Sequence, residues 1–131
     1  MNYIRARVSN IQNSGALHLV DFIAEFQTIQ MMSLELNKKV QIDSELILAV
    51  KSTNIALSRD ISSTLSISNQ LQVKIKDISH GELLSSVKFE FVGSLMESII
   101  TKESALKMDI KIDETFIALI GANEISISEL L

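Results

Sequence analysis

Two hydroxyl residues, Thr101 and Ser104, are the first side chains in this sequence that could do chemistry. They stand three residues apart at the start of a predicted helical turn, which brings their hydroxyls close together. The first backbone N–H groups of a helix have no partner inside the helix, so such a position could hold a small anion. The alternative is an ordinary helix N-cap, which is the simpler interpretation of this segment alone because Ser and Thr cap helices routinely.

Further donors follow an apolar strand and precede another. Lys51 comes directly after the apolar run 46–50, where its ammonium could reach an oxyanion as a point charge, although a solvated surface lysine is the simpler interpretation. Ser66, Asn69 and Gln70 lead into a later predicted strand and supply hydroxyl and amide donors. These residue types could hold a small oxyanion through neutral donors and one positive charge.

The chain is one short unit repeated twice, and this repeat must position the candidate residues. Residues 2–58 align with 69–128 at an offset of about 67 early, 71 in the middle and 70 late. The run LILAVKSTNIALS at 46–58 falls on FIALIGANEISIS at 116–128. We place the boundary in the Ser-rich stretch 58–66, which gives a first copy, residues 1–61, and a second copy, residues 62–131.

The alignment shows that the two copies carry different candidate residues. Ser33 falls on Ser104, but Gln30 stands where the second copy has Thr101. Gly121 stands where the first copy has Lys51. The two copies are therefore complementary, and we expect any site to combine residues from both.

Composition excludes several classes of function. There is no cysteine, hence no disulfide and no thiolate chemistry, and the two histidines, His18 and His80, suggest neither a catalytic relay nor a metal cluster. The net charge of −4 argues against nucleic-acid binding, which needs clustered Lys and Arg. No apolar run is long enough to cross a bilayer, and the N-terminus lacks the apolar core of a signal peptide. We therefore expect a cytoplasmic protein that is not an enzyme and binds neither nucleic acid nor membrane.

Alternating apolar residues predict an all-β fold. Ile4, Ala6 and Val8 alternate with polar residues, and the pattern returns at 71–75. Each copy has about five predicted strands, a helical turn at 31–37 or 102–108, and a kink near 52–53 or 122–123 in its last apolar run. This inventory suits two OB-fold-like five-stranded Greek-key barrels in tandem. A unit of about 60 residues buries too little surface to be stable alone, so the copies should pack on each other or on another subunit.

Three segments resemble the motifs of a known family. They are SISNQL at 66–71, IITKES at 99–104 and VKSTNIAL at 50–57, in the expected order within the repeated frame. Together they make the chain similar, over essentially its full length, to a tandem pair of molbindins, also described as Mop or TOBE domains. Asp43, Asp109 and Asp113 fall near places where that family usually has glycine.

The resemblance implies a function and a set of residues. It implies OB-like barrels that bind molybdate or tungstate as a ligand at interfaces between units, for intracellular storage, homeostasis or sensing, in a homo-oligomer for which a trimer is favoured and a dimer is an alternative. The oxyanion-binding residues implied are Ser33, Lys51, Ser66, Asn69, Gln70, Thr101 and Ser104, with no side chain ligating the metal directly. Because neither copy carries a full set, the alternative is a degenerate structural or regulatory oligomerisation module that no longer binds oxyanion.

Overall fold

The structure is a computed structural model that describes residues 1–131. Ten β-strands, one α-helix and two short 3-10 turns form its regular structure. In chain order the elements are β1 (Asn2–Ser14), β2 (Leu17–Ala24), β3 (Gln27–Ser33), β4 (Glu45–Val50), a 3-10 turn (Ser52–Asn54), β5 (Ala56–Ser58), β6 (Asn69–His80), β7 (Leu84–Phe91), β8 (Ser94–Thr101), α1 (Lys102–Met108), β9 (Thr115–Ile120), a second 3-10 turn (Ala122–Glu124) and β10 (Ser126–Leu130). The prediction of an all-β fold is confirmed.

The strands form two antiparallel sheets of five strands each. The order in the first sheet is β10-β4-β1-β2-β3, and the order in the second is β5-β9-β6-β7-β8. The two predicted five-stranded units are therefore present, and the strands of each follow one another in the same relative order.

Each sheet takes its outermost strand from the other copy. In the second sheet, β5 of the first copy pairs with β9, so that Ala56 lies opposite Leu119. In the first sheet, β10 of the second copy pairs with β4, so that Ile127 lies opposite Leu48. Each copy thus contains five strands, as predicted, and the last strand of each joins the sheet of the other copy. The boundary proposed between residues 61 and 62 stays a prediction about the repeat, since both sheets use strands from both sides of it.

The exchange begins at the two 3-10 turns. They lie at Ser52–Asn54 and Ala122–Glu124, where the kinks were predicted, and that prediction is confirmed. The first turn packs against β8 and the second against β3, so each turn lies on the opposite copy. A strand that leaves such a turn is therefore already directed towards the other sheet.

The two sheets share one hydrophobic core. In β1, Ile4, Ala6 and Val8 are buried while Arg5 and Arg7 are exposed, as the alternation predicts. Buried residues from both copies form one contiguous cluster of 25 residues. A common core gives two small units the buried surface that neither could provide alone.

The helical turn forms only in the second copy. There, α1 begins after Thr101 and ends at Asp109, whereas Ser33 still belongs to strand β3. The helical turn predicted over residues 31–37 is therefore wrong. The connection from residue 34 to 44 is also shorter than the one from 102 to 114.

Three aspartates occupy backbone conformations that glycine favours. Asp43, Asp109 and Asp113 have φ angles of 73°, 49° and 73°. Aspartate tolerates the left-handed region better than most residues, because its short side chain can hydrogen-bond locally. These aspartates therefore adopt the positive φ angles that glycine would otherwise be expected to provide.

The single α-helix has seven residues, and no helix of the chain is long and apolar enough to cross a membrane.

Candidate functional site

Thr101 and Ser104 lie where strand β8 passes into α1. Thr101 is the N-cap of this helix, and its Oγ1 accepts a hydrogen bond from the Ser104 amide at 3.1 Å. The two hydroxyl oxygens are 2.9 Å apart, so the predicted proximity of the hydroxyls is confirmed. The cap uses the Ser104 amide, and the Lys102 amide donates to the Leu83 carbonyl at 2.9 Å. The Thr101 hydroxyl donates its proton to Ser104 Oγ, so of these groups only the Ser104 hydroxyl still has a proton to donate.

A cleft opens between Thr101 and the 3-10 turn that follows Lys51. Its volume is about 460 Å³. We call it the Thr101 cleft, and its lining residues are Thr53, Asn54, Ile55, Ala56, Leu84, Ile99, Ile100, Thr101 and Ser104. Lys51 directly precedes the turn on one side of this cleft; it is exposed and forms no ion pair. The fold thus brings the segment that begins at Lys51, in the first copy, close to Thr101 and Ser104 in the second copy.

The side chain of Asn54 links the two 3-10 turns. Its Nδ2 donates to Glu124 Oε2 at 2.6 Å. Asn54 lines the Thr101 cleft, but one of its amide protons is occupied by this bond. The carboxylate of Glu124 also places a negative charge near the cleft, which opposes anion binding unless Lys51 offsets it.

A second cleft occupies the equivalent place on the other side of the molecule. We call it the Ser33 cleft, about 470 Å³ in volume, and it is lined by Met31, Ser33, Glu35, Leu36, Asn37, Val40 and residues 125–130. The Ser33 hydroxyl donates to the Glu35 carbonyl and accepts from the Glu35 amide at 3.2 Å, so it is engaged in a local turn. Glu35 and Glu129 bring carboxylates to this cleft, and Gly121 stands where a lysine would be needed.

Strand pairing corrects the alignment of Ser33 with Ser104. His18 lies opposite Ser33, and at the equivalent place Ser85 lies opposite Ile100. Ser33 is therefore equivalent to Ile100, and Gln30 is equivalent to Glu97 rather than to Thr101. The offset of about 67 continues to the end of the third strand, and the change of offset falls in the loop that follows, where insertions are tolerated.

Asn69 and Gln70 use their amide protons inside the chain. Asn69 is 1% exposed, and its Nδ2 donates to the carbonyls of Gln30 and Ile120 at 2.9 and 3.0 Å. Gln70 Nε2 donates to the carbonyls of Ser62 and Ile67 at 2.9 and 3.3 Å. Asn69 therefore joins the two copies, and Gln70 holds the linker, residues 59–68, which connects β5 to β6.

Ser66 is exposed and lies outside the Thr101 cleft. Of the seven residues implied by the resemblance, only Thr101 and Ser104 line this cleft, with Lys51 directly beside its turn.

Two buried polar residues near the Thr101 cleft, Asn2 and Ser98, were not among the site residues predicted from the sequence. Asn2 and Ser98 are 5% and 0% exposed, and both bond across the boundary between the two copies. The repeat held a signal for Asn2, because Asn2 aligns with Asn69 at the start of each copy. Ser98 is a polar residue on the buried face of β8, and the alternation within that strand shows its place.

The carboxyl of Glu114 has a shifted pKa and lies outside both clefts. The guanidinium of Arg59, hydrogen-bonded to Glu114 at 2.9 Å, lowers the pKa of that carboxyl below 4.5, helped by the Lys111 amide. Arg59 also donates to the Met108 carbonyl at 2.6 Å and lies over the Phe116 ring, so it fastens the linker to the second sheet.

Comparison with known proteins supports the assignment of the second copy. Residues 65–127 match the TOBE domain family. A solved structure of the cytoplasmic molybdate-binding protein ModG, with molybdate bound, superposes with a TM-score of 0.88 at 23% sequence identity. The superposition covers 96% of this chain and 94% of that one, so both sheets are included. No curated protein matches the chain in sequence. Residues 65–127 are thus similar to a TOBE domain, and the chain as a whole has the fold of ModG.

Proposed function

We propose that this chain binds a tetrahedral oxyanion, molybdate or tungstate, without catalysis, in the cytoplasm, as a store or a sensor of the anion. The observation that carries the proposal is the Thr101 cleft, which is lined by Thr101 and Ser104 of one copy and by the turn that follows Lys51 of the other. The TOBE match supports the anion class, and so does the shared fold with a molybdate-binding protein.

The chemistry of the cleft suits a small dianion. A tetrahedral oxyanion accepts hydrogen bonds on all its oxygens. The Ser104 hydroxyl supplies one donor at this corner, and the Thr101 hydroxyl would supply a second by turning from Ser104 Oγ to the anion. The ammonium of Lys51 would add a charge-assisted bond, about twice as strong as a neutral one. Lys51 has no carboxylate partner in the chain, so binding would not require an ion pair to break.

Two differences between the clefts predict one anion per chain. The Ser33 cleft has no lysine beside its turn, and two carboxylates line it. A dianion there would meet like charges, and no lysine precedes the 3-10 turn on that side. We therefore assign binding to the Thr101 cleft alone, with Lys51, Thr101 and Ser104 as the binding side chains.

Calorimetric titration of the purified chain with molybdate, tungstate, sulfate and phosphate tests this proposal. Lys51→Met should weaken molybdate binding by about ten- to a hundredfold, because a charge-assisted bond is worth roughly 1.5–3 kcal/mol. Lys39→Met is the matched control. It removes the same charge as Lys51→Met, and Lys39 is exposed and lines neither cleft. The absence of any heat or thermal shift with millimolar molybdate and tungstate would refute oxyanion binding. An equal effect of the two lysine variants would refute the assigned site.

A homo-oligomer is the second part of the proposal. Leu83, Leu84 and Leu106 are 79%, 54% and 58% exposed, and all three line a shallow surface beside Thr101. Apolar side chains grouped in this way mark association surfaces. A second copy of the chain docked there would bury them and could close the Thr101 cleft. Light scattering on the native protein gives the mass, which we expect to be that of a trimer or a dimer.

A purely structural module is the competing function. It is favoured by the use of the Asn69 and Gln70 donors in packing, which leaves fewer groups for a ligand. On that account the native protein would be a stable oligomer containing no molybdenum or tungsten and unresponsive to added oxyanion. Elemental analysis of the purified oligomer separates the two functions.

A further inference from the structure

Two buried asparagines make equivalent bonds across the boundary between the copies. Asn2 Nδ2 donates to the Glu97 carbonyl at 2.8 Å, and its Oδ1 accepts from the Glu97 amide at 2.8 Å. Asn69 does the same with Gln30, at 2.9 and 2.7 Å. Each asparagine opens the first strand of one copy and holds the third strand of the other. The same two bonds, from an asparagine side chain to one backbone amide and carbonyl, therefore join the copies at two equivalent places.

The two places differ in what surrounds the asparagine. Beside Asn2, its Nδ2 also lies 3.4 Å from the Ser52 hydroxyl, and the Ser98 hydroxyl donates to the Ile55 carbonyl at 2.6 Å. Ser52 and Ser98 are 8% and 0% exposed, so water competes little for these bonds. At the other place, Met31 occupies the position equivalent to Ser98, so no hydroxyl bond can form there.

The extra bonds hold both walls of the Thr101 cleft. Ser52 begins the 3-10 turn that follows Lys51 and Ile55 comes directly after it, while Glu97 and Ser98 lie on the strand that ends at Thr101. Because these bonds hold the turn against β8, they also hold Lys51 in a defined position relative to Thr101 and Ser104. Beside the Ser33 cleft, Asn69 bonds instead to the Ile120 carbonyl, which precedes the second turn, and no side-chain hydroxyl joins that turn to β3.

We propose that Asn2 and Ser98 are positioning residues for the oxyanion site, which hold the Lys51 turn against strand β8. This inference rests on the proposed function of the Thr101 cleft. Its physical basis is that donors bind an anion strongly only when they are held in place before it arrives. Partners behind the binding groups commonly contribute about ten- to a hundredfold in affinity at metal sites.

Ser98→Ala tests the inference with little loss of volume, and Ser85→Ala is its matched control. Ser85 is 1% exposed and has one hydroxyl bond, 2.7 Å to His80 Nδ1, which does not involve the turn. We expect Ser98→Ala to weaken molybdate binding about tenfold, and Ser85→Ala to change it less than about threefold at a similar loss of stability. Equal molybdate affinities in the two variants would overturn the inference.

A second measurement reads the turn without any ligand. The Asn54 amide donates to the Lys51 carbonyl at 2.9 Å, so its hydrogen exchange reports how well the turn is held. Exchange there should rise at least about threefold in Ser98→Ala and in Asn2→Ala, and stay unchanged in Ser85→Ala. If the wild-type chain binds no oxyanion, the proposed function fails while this measurement still judges the positioning. Unchanged exchange in Ser98→Ala refutes the inference even if Asn2→Ala does not fold.

Discussion

Replacing Asn69 by alanine should destabilise the whole chain rather than act on a ligand. The side chain is 1% exposed and forms three hydrogen bonds, all to backbone groups. Truncation would leave the Gln30 amide, the Gln30 carbonyl and the Ile120 carbonyl without these partners. A buried group left unpaired costs about 1–3 kcal/mol, but Gln30 is half-buried, so water recovers part of the loss. We therefore expect a loss of about 3 kcal/mol in the free energy of unfolding.

Such a loss is large for a chain of this size. Domains are typically stable by about 5–15 kcal/mol, so the variant would lose a substantial fraction of its margin. Urea unfolding followed by far-ultraviolet circular dichroism suits the measurement, because the chain has no tryptophan and one tyrosine. Gln70→Ala is the matched control: Gln70 is half-buried and bonds only to the linker, so we expect about 1 kcal/mol or less. An Asn69→Ala chain of unchanged stability that had lost molybdate binding would refute this reasoning and make Asn69 a ligand.

Three further predictions follow from the backbone, the ion pairs and the exchanged strands. Glu25 is exposed with φ of 54°, so Glu25→Gly should stabilise by about 0.5 kcal/mol, and a lower urea midpoint would contradict this. Because Arg59 lowers the folded-state pKa of Glu114, the carboxylate stabilises the fold above pH 4.5 and loses this effect as the pH falls through the folded pKa. The urea midpoint of Glu114→Gln should therefore lie below that of the wild type near neutral pH, and the gap should close in acid. Residues 1–61 and 62–131 made as separate chains should each fail to fold and should fold when mixed, by circular dichroism; a stable single copy would contradict the shared core.

The sequence predicts the strands and the hydroxyl corner because their signals are local. Alternation in β1 follows directly from one buried face, and the spacing of Thr101 and Ser104 matches one helical turn. The kinks at the 3-10 turns were visible as interruptions of apolar runs. In each case the pattern within a few residues decides the conformation, so no knowledge of the rest of the chain is needed.

The choice of pairing partner could not be predicted, because both partners look alike. Strand β5 pairs with β9, of sequence TFIALI, and could by its pattern pair equally with β4, of sequence ELILAV. The direction taken after each 3-10 turn decides between them, and that direction depends on packing against the other copy. The helical turn over 31–37 was wrong for a related reason: the alignment matched serines, whereas strand pairing and loop length determine equivalence.

The exchanged strands also bear on the order in which the chain folds. β10 pairs with β4 between residues separated by roughly 80 positions, whereas β1, β2 and β3 pair with near neighbours. Hairpins can therefore form early, but neither sheet is complete until a long loop has closed. Closing such a loop loses chain entropy before the contacts compensate for it, so we expect slow folding for a domain of this length. Until closure, the edge of β4 remains open to pairing with other chains, and chain concentration during refolding should decide between monomeric closure and intermolecular exchange.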